Sequence, residues 1–241
     1  MEVPLVDLKA QYHPLKTDIL QRIEQILDGM HLSPGPNVQA LEAEFSAFQE
    51  VDYAIGVSDG TTALLLALMA CGVSQGAEVI TVSQTFIATV EAIALVGARP
   101  VFVDVDPSTY TMDVTRIKDR ITDSSRAIIP VHLYGQPADM DPILARARDH
   151  GLWVIEDACQ AHGARYKGRR TGSLGHIAAY SFYCSKNLGA YGEAGMLTSN
   201  DEELANRVRL IRDHGSPRRY HHELIGMNAR LDEIQAAVLR A

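Results

Sequence analysis

Apolar runs of strand length recur at 53–57 (YAIGV), 77–82 (AEVITV), 99–105 (RPVFVDV), 126–133 (RAIIPVHL), 152–158 (LWVIEDA), 178–183 (AAYSFY) and 195–199 (GMLTS). Most are separated by segments whose apolar residues fall three and four apart, a spacing that predicts helices over 62–71, 85–96, 113–121 and 139–150. Strands apolar on both faces and alternating with helices imply a mainly parallel sheet covered on both sides. Ahead of the first strand we expect a short extended start, a helix near 14–28, the turn-rich HLSPGPNV and a second helix over 38–50. At the other end, NARLDEIQAAVLRA carries Leu231, Ile234 and Val238 at helical spacing and reaches Ala241 without a glycine or proline stop. That pattern leads us to expect a helix that runs on into a further domain. No repeat, low-complexity stretch or long linker intervenes, so residues 1–36 read as an arm with a helix and residues 37–241 as one α/β domain.

Composition narrows the class of function. The 241 residues are 46% hydrophobic and 22% charged, as in ordinary globular proteins. A formal net charge of −8 argues against a nucleic-acid binder held by a general basic surface, while leaving room for a local phosphate pocket. The longest apolar stretch, ALLLALMACGV, is far short of the roughly 20 residues of a spanning helix. MEVPLVDLKAQY lacks the basic start and apolar segment of a secretion signal, so we expect neither membrane nor export. Cys71, Cys159 and Cys184 are odd in number and show no CxxC spacing, which fits reduced thiols in the cytoplasm. No metal is expected, since His221 and His222 are adjacent and have no spaced partner.

The chemistry begins at YAIGVSDGTTALLLAL, where a strand runs through Gly56, Ser58, Gly60, Thr61 and Thr62 straight into a helix. Glycines allow close backbone approach, and a helix start offers free N–H groups to an anion. The same stretch also matches GxSxG, the nucleophile elbow of α/β-hydrolases, with Ser58 as nucleophile and His132, His162, His176 or His214 as a possible base. Neither GxGxxG nor GxxxxGK[ST] occurs, so nucleotide-hydride and NTPase chemistry have little support. Further on, the strand in WVIEDACQAHGA ends in Glu156-Asp157, where parallel sheets gather ligands. An acid there could be a plain cap, or it could keep a pyridine nitrogen protonated; Gln160 could reach a ring oxygen and His162 could line the pocket.

YSFYCSKNLGAYGEAGM sets Lys186 between an aromatic run and a glycine-rich turn. Alone it is an ordinary loop lysine. With Ser181 five residues earlier to bind a phosphate oxygen, and Gly189, Gly192 and Gly195 leaving room for a planar group, it becomes an imine-forming amine. A phosphate cradle, an acid for a ring nitrogen and an amine are the protein's parts for pyridoxal phosphate chemistry.

SDGTTALLLAL, TFIATVEAI, GARPVFVDVDPSTYTMD, IIPVHLYGQPADMDPI, VIEDACQAHGA, SFYCSKNLGAYGEAGML and GMNARLDEIQAAVL resemble, in family order, the sugar-nucleotide aminotransferases of the DegT/DnrJ/EryC1/StrS family. The resemblance implies the aspartate aminotransferase fold (fold type I), an α/β large domain that binds pyridoxal 5'-phosphate, with the smaller C-terminal domain largely absent from this chain. It implies that Lys186 joins the cofactor as a Schiff base and that Asp157 pairs with its ring nitrogen. Gln160 would contact the ring hydroxyl, Phe86 would stack on the ring, and Gly60, Thr61 and Ser181 would hold the phosphate. Asn228 would reach the phosphate of a neighbouring subunit in a homodimer with shared sites. The implied reaction moves an amino group from L-glutamate to a keto group of a nucleotide-linked sugar, with Arg218 and Arg219 near the diphosphate. Gln160 followed by His162, together with SPRRYHHELIG, resembles members acting at C3 of dTDP-3-keto-6-deoxy sugars. A C4-acting enzyme, a sugar dehydratase, a sensor without turnover and a serine hydrolase remain the alternatives.

Overall fold

The computed structural model describes residues 6–33 and 35–241; the first five residues of the expected extended start, and Pro34 within HLSPGPNV, lie outside the described residues. Helix α1 (Leu8–Gly29) begins earlier than its expected start near residue 14. The Asp7 carboxylate caps it, accepting from the Lys9 and Ala10 amides at 3.1 Å, so Pro14 lies inside the helix. Pro14 is exposed, and water can meet the Ala10 carbonyl that it leaves without a donor. Helix α2 (Pro36–Gln49) starts on a proline and buries Val38, Leu41, Phe45 and Gln49 along one stripe.

The strands of the main sheet are β1 (Tyr53–Val57), β2 (Glu78–Val82), β3 (Arg99–Val103), β4 (Ser125–Ile128), β5 (Trp153–Asp157), β8 (Ile177–Ser181) and β9 (Gly195–Ser199). A small hairpin of β6 (Arg165–Tyr166) and β7 (Arg169–Arg170) stands apart. The sheet order is β1-β9-β8-β5-β4-β2-β3, and β9 alone runs antiparallel to its neighbours. The α/β class and the mainly parallel sheet are as the apolar runs imply. Several runs outlast their strands: residues 129–132 and 182 keep single backbone hydrogen bonds to neighbouring strands or residues beside them, such as Ile129 to Ile80 (2.7 Å) and Phe182 to Ala194 (2.8 Å), before the chain turns away, with Leu133 opening a 3₁₀ turn.

Helices α3 (Gly60–Ala70), α4 (Ala88–Leu95) and α6 (Glu202–Ile211) cover one face, and their core includes Ile55, Ala127, Ile155 and Leu197. On the other face, α5 (Met140–His150) packs over Ile128 and Val154, while α2 and α7 (Glu233–Leu239) pack over Ala54, Ala178 and Met196. Apolar almost all round, α3 buries Ala63, Leu64, Leu66, Ala67 and Leu68 completely or nearly so. Each such leucine contributes about 1.5–3 kcal/mol of burial, and this fixes the helix start that faces the site.

Two helical expectations need correction. Over 113–121 there is only a single 3₁₀ turn, Lys118–Arg120. Asp113 accepts hydrogen bonds from the Thr115 amide (3.0 Å) and hydroxyl (2.6 Å), a local turn that competes with helix. In NARLDEIQAAVLRA, residues 228–231 are extended: Asn228 bridges to Asp213 and Arg230 to Val57. Helix α7 therefore starts only at Glu233, which is buried and accepts from the Asn37 amide (2.5 Å), the Asn37 side chain (2.9 Å) and the Val38 amide (3.0 Å). Glu233 thus caps α2 across 196 residues of chain, while Ile234 is only half-buried.

Candidate active site

The C-terminal ends of β1, β2, β4, β5 and β8 open onto one cavity of about 660 Å³. Gly60, Thr61, Phe86, Asp157, Gln160, Ser181 and Lys186 all line it. Adjacent residues on a strand face opposite ways, so at the end of β5 Asp157 enters the cavity while Glu156 points into the other layer. The buried Asp157 is held by the Thr89 hydroxyl (2.6 Å to Oδ2) and the Cys159 amide (3.2 Å to Oδ1). Each oxygen thus keeps a lone pair for a further donor, and Asp157 lines the cavity.

The start of α3 forms the cavity's second wall. Asp59 caps it, accepting from the Thr62 amide at 2.7 Å and the Thr62 hydroxyl at 2.6 Å. The Gly60 and Thr61 amides are left without an acceptor among the described residues. A Cβ at Gly60 would meet Ser181 Cβ at 2.6 Å and Cys159 Sγ at 3.2 Å, so only glycine lets the helix start reach β8. Ser181 Oγ accepts from the Tyr183 amide at 3.2 Å, leaving its own hydrogen free. Ser58 donates to Asp59 (2.8 Å), and no histidine among the described residues hydrogen-bonds it. Among the described residues it therefore works within a cap, with no histidine base to activate it as a hydrolase elbow requires.

Opposite these, Gln160 Oε1 accepts from the Tyr134 amide at 2.9 Å, so the group it has left to offer is its NH₂ donor. Phe86 is 65% exposed where a core aromatic would be hidden, and its ring lies against the cavity. Lys186 sits half-buried just past Ser181, in a turn where its amide donates to the Tyr183 carbonyl at 2.8 Å.

Four residues from the sequence reading lie elsewhere. His162, expected to line the pocket, packs its ring against Tyr180 and Phe182 on the far side of β8, and burial pulls its pKa down to about 4. Both of its ring nitrogens are buried and unpartnered among the described residues. Arg218 and Arg219 are exposed on the segment before Asn228, and Asn228 is itself exposed; none of the three lines this chain's cavity.

Sequence reasoning passed over other lining residues: Thr85, Thr89, Val131, Leu133, Tyr183 and Glu193. Thr85 and Thr89 stood within TFIATVEAI, but a threonine near a helix start reads as a cap. His132 appeared only as a possible hydrolase base. It is fully buried beside Glu156, its Nδ1 accepting from the Ala138 amide at 3.0 Å and its Nε2 donating to Glu156 at 2.9 Å. Glu156 also accepts from the amides of Gly172 (2.8 Å), Leu174 (2.9 Å) and Gly175 (2.7 Å). Burial raises its pKa, but the His132 hydrogen bond and the amide donors outweigh this and leave it lowered. Cys159 is different: burial, then the Asp157 charge, push its thiol well above the ordinary range, so it is packing rather than a nucleophile.

These features match the parts of pyridoxal phosphate. Two unpartnered amides and two hydroxyls suit its phosphate, an open carboxylate its ring nitrogen, an amide NH₂ its ring oxygen and an exposed aromatic its face. A curated relative, the pleiotropic regulatory protein of Geobacillus stearothermophilus, is 49% identical over 239 residues, 99% of this chain and 64% of its own length. The UDP-N-acetyl-3-dehydro-α-D-glucosamine 3-aminotransferase of Acidithiobacillus ferrooxidans is 50% identical, over 99% of this chain and 65% of its own. The chain therefore spans just under two thirds of the length of these relatives. Among solved structures, S. venezuelae DesV in complex with a ketimine intermediate superposes with a TM-score of 0.96 at 48% identity, covering 99% of this chain and 64% of that one. The fold is that of the pyridoxal-phosphate-dependent aminotransferases. Residues 14–241 match throughout, and the chain belongs to the DegT/DnrJ/EryC1/StrS aminotransferase family, whose cofactor is pyridoxal phosphate.

Proposed function

We propose that the protein moves an amino group from L-glutamate to C3 of a nucleotide-linked 3-keto sugar, a dTDP-3-keto-6-deoxy sugar on the resemblance, with residues 37–241 as the cofactor domain and 1–36 as an arm. The observation that carries this reading is the convergence of Lys186, Asp157, Gln160, Ser181, Phe86 and the α3 start on one cavity. Bound pyridoxal phosphate supplies an electron sink for a carbon that loses its proton. Asp157 holds a proton at the ring nitrogen, and the Gln160 NH₂ donates to the ring oxygen. The Gly60 and Thr61 amides and the Thr61 and Ser181 hydroxyls bind the phosphate. Phe86 covers the ring face and excludes water from it. Lys186 Nζ anchors the cofactor and then moves the proton, taking it from the donor's Cα and delivering one to the sugar carbon.

Among the described residues the cavity lining contains one cation, Lys186, beside three carboxylates, Asp59, Asp157 and Glu193. Its proposed ligands are all anions. Arg218 and Arg219 of a second copy would make up that shortage, with Asn228 adding a neutral donor, which supports a homodimer with shared sites. Amination at C3 is supported by the name of the Acidithiobacillus relative. Among the described residues no helix is long and apolar enough to cross a membrane. The test is an absorbance titration with pyridoxal phosphate, then L-glutamate, then 3-keto and 4-keto nucleotide sugars. A visible band that glutamate bleaches and a 3-keto sugar restores is the expected result, with Lys186→Ala abolishing it. A band indifferent to glutamate would overturn the reading in favour of a dehydratase or a sensor, and restoration by the 4-keto sugar alone would move the amine to C4.

A further inference from the structure

Two threonines with no part in the scheme above join the cavity's carboxylate to its aromatic loop. Thr89, on the first turn of α4, is completely buried, with Oγ1 2.6 Å from Asp157 Oδ2. Thr85, half-buried on the loop after β2, places its hydroxyl 2.8 Å from that of Thr89. Both line the cavity beside Asp157 and Phe86. The direction of this chain follows from counting hydrogens. A carboxylate can only accept, so the single Thr89 hydroxyl hydrogen goes to Asp157. The longer approach of Thr89 Oγ1 to the Phe86 carbonyl, 3.3 Å, then has no hydrogen left to carry it, and the hydrogen between the two hydroxyls comes from Thr85.

We propose that Thr89, ordered by Thr85, is a positioning residue that sets two cofactor contacts at once, the Asp157 carboxylate at the ring nitrogen and the Phe86 ring on the ring face. The inference rests on the reading of the cavity as a pyridoxal phosphate site. The physical argument has three parts. The Thr89 bond is short and charge-assisted, stronger than a neutral one. Its donor is a β-branched side chain with a restricted χ1, on the first turn of α4 and directly after the loop that carries Phe86. The Cys159 amide on Oδ1 alone would leave Asp157 free to rotate about that bond; the second donor on Oδ2 removes this freedom and leaves one lone pair per oxygen for a ligand in the cavity that Asp157 lines. Because Phe86 lies three residues before Thr89, with its carbonyl accepting from the Thr89 amide at 3.3 Å, the same anchor restrains the exposed ring.

The test compares Thr89→Val, which keeps the shape and loses the hydroxyl, with Thr89→Ser, which keeps the hydroxyl. Each protein is titrated with pyridoxal phosphate, reading the dissociation constant by fluorescence and the absorption band of the bound cofactor, and is melted without cofactor. For Thr89→Val we expect about tenfold weaker binding, the worth of one hydrogen bond to a charged group, and a displaced band. Thr89→Ser should recover the band position, and Thr85→Val should shift it in the same direction by less. A Thr89→Val protein with unchanged affinity and band would overturn the inference. So would one whose melting point alone falls, since that marks a purely structural residue. If the unsubstituted protein takes up no cofactor, the underlying reading fails as well; if it binds normally and the variants are indifferent, this inference fails alone.

Discussion

Glu156→Gln is nearly isosteric but exchanges one acceptor oxygen for a donor NH₂, at a carboxylate with no solvent exposure. Oε2 takes the His132 ring hydrogen and the Gly172 amide, and Oε1 takes the Leu174 and Gly175 amides. Either orientation of the glutamine therefore sets NH₂ against two donors. His132 cannot relieve the clash by changing tautomer, because its Nδ1 is needed as the acceptor for the Ala138 amide. Two hydrogen bonds to a charged group are lost, each worth about 1.5–3 kcal/mol, so the cost is roughly 3–6 kcal/mol, a large share of a domain's stability. In a chain of this size that lowers the melting temperature by roughly 6–24 °C. The assay is urea unfolding followed by circular dichroism on cofactor-free protein. The sign with pH is also set. The folded-state pKa lies below its ordinary 4.5, so the stabilisation is complete above that value and is lost as pH falls through the lower folded value. The variant should lack this acid limb. A loss below about 1 kcal/mol at pH 7 would refute the argument that four donors hold this carboxylate ionised.

Two further outcomes follow from the site and its surroundings. Gly60→Ala puts a Cβ 2.6 Å from Ser181 Cβ and should weaken pyridoxal phosphate binding about tenfold or more by parting the α3 start from β8, as read by the same titration. His162, held down to about 4 by burial against an ordinary 6.5, subtracts stability as pH falls from 6.5 through 4, by about 3 kcal/mol at the bottom. His162→Phe should flatten denaturation midpoints across that window, which lies mostly above the one set by Glu156.

The chain's own periodicity was enough for the α/β class, since apolar runs that alternate with helical spacing can be buried only in a sheet covered on both faces. Residue chemistry and motif order pointed to Lys186, Asp157, Gln160, Ser181 and the α3 start, and the family resemblance to Phe86; all of them line one cavity, because each follows a strand end or opens a helix. Local pattern failed where a competing partner was local or very distant. Asp113 turned a promising helix into one 3₁₀ turn through Thr115, and Glu233 displaced Ile234 from the core by capping α2 across the fold. The same held for side chains whose meaning depends on which face they take. Glu156 and Asp157 are indistinguishable as neighbours in the chain, yet the pleat sends one to four buried donors and the other to the cavity. His162, within the family motif, went to the aromatic layer behind β8, and Thr89 took on a partner 68 residues away. Such contacts depend on how distant elements meet, and one-dimensional spacing carries no record of that.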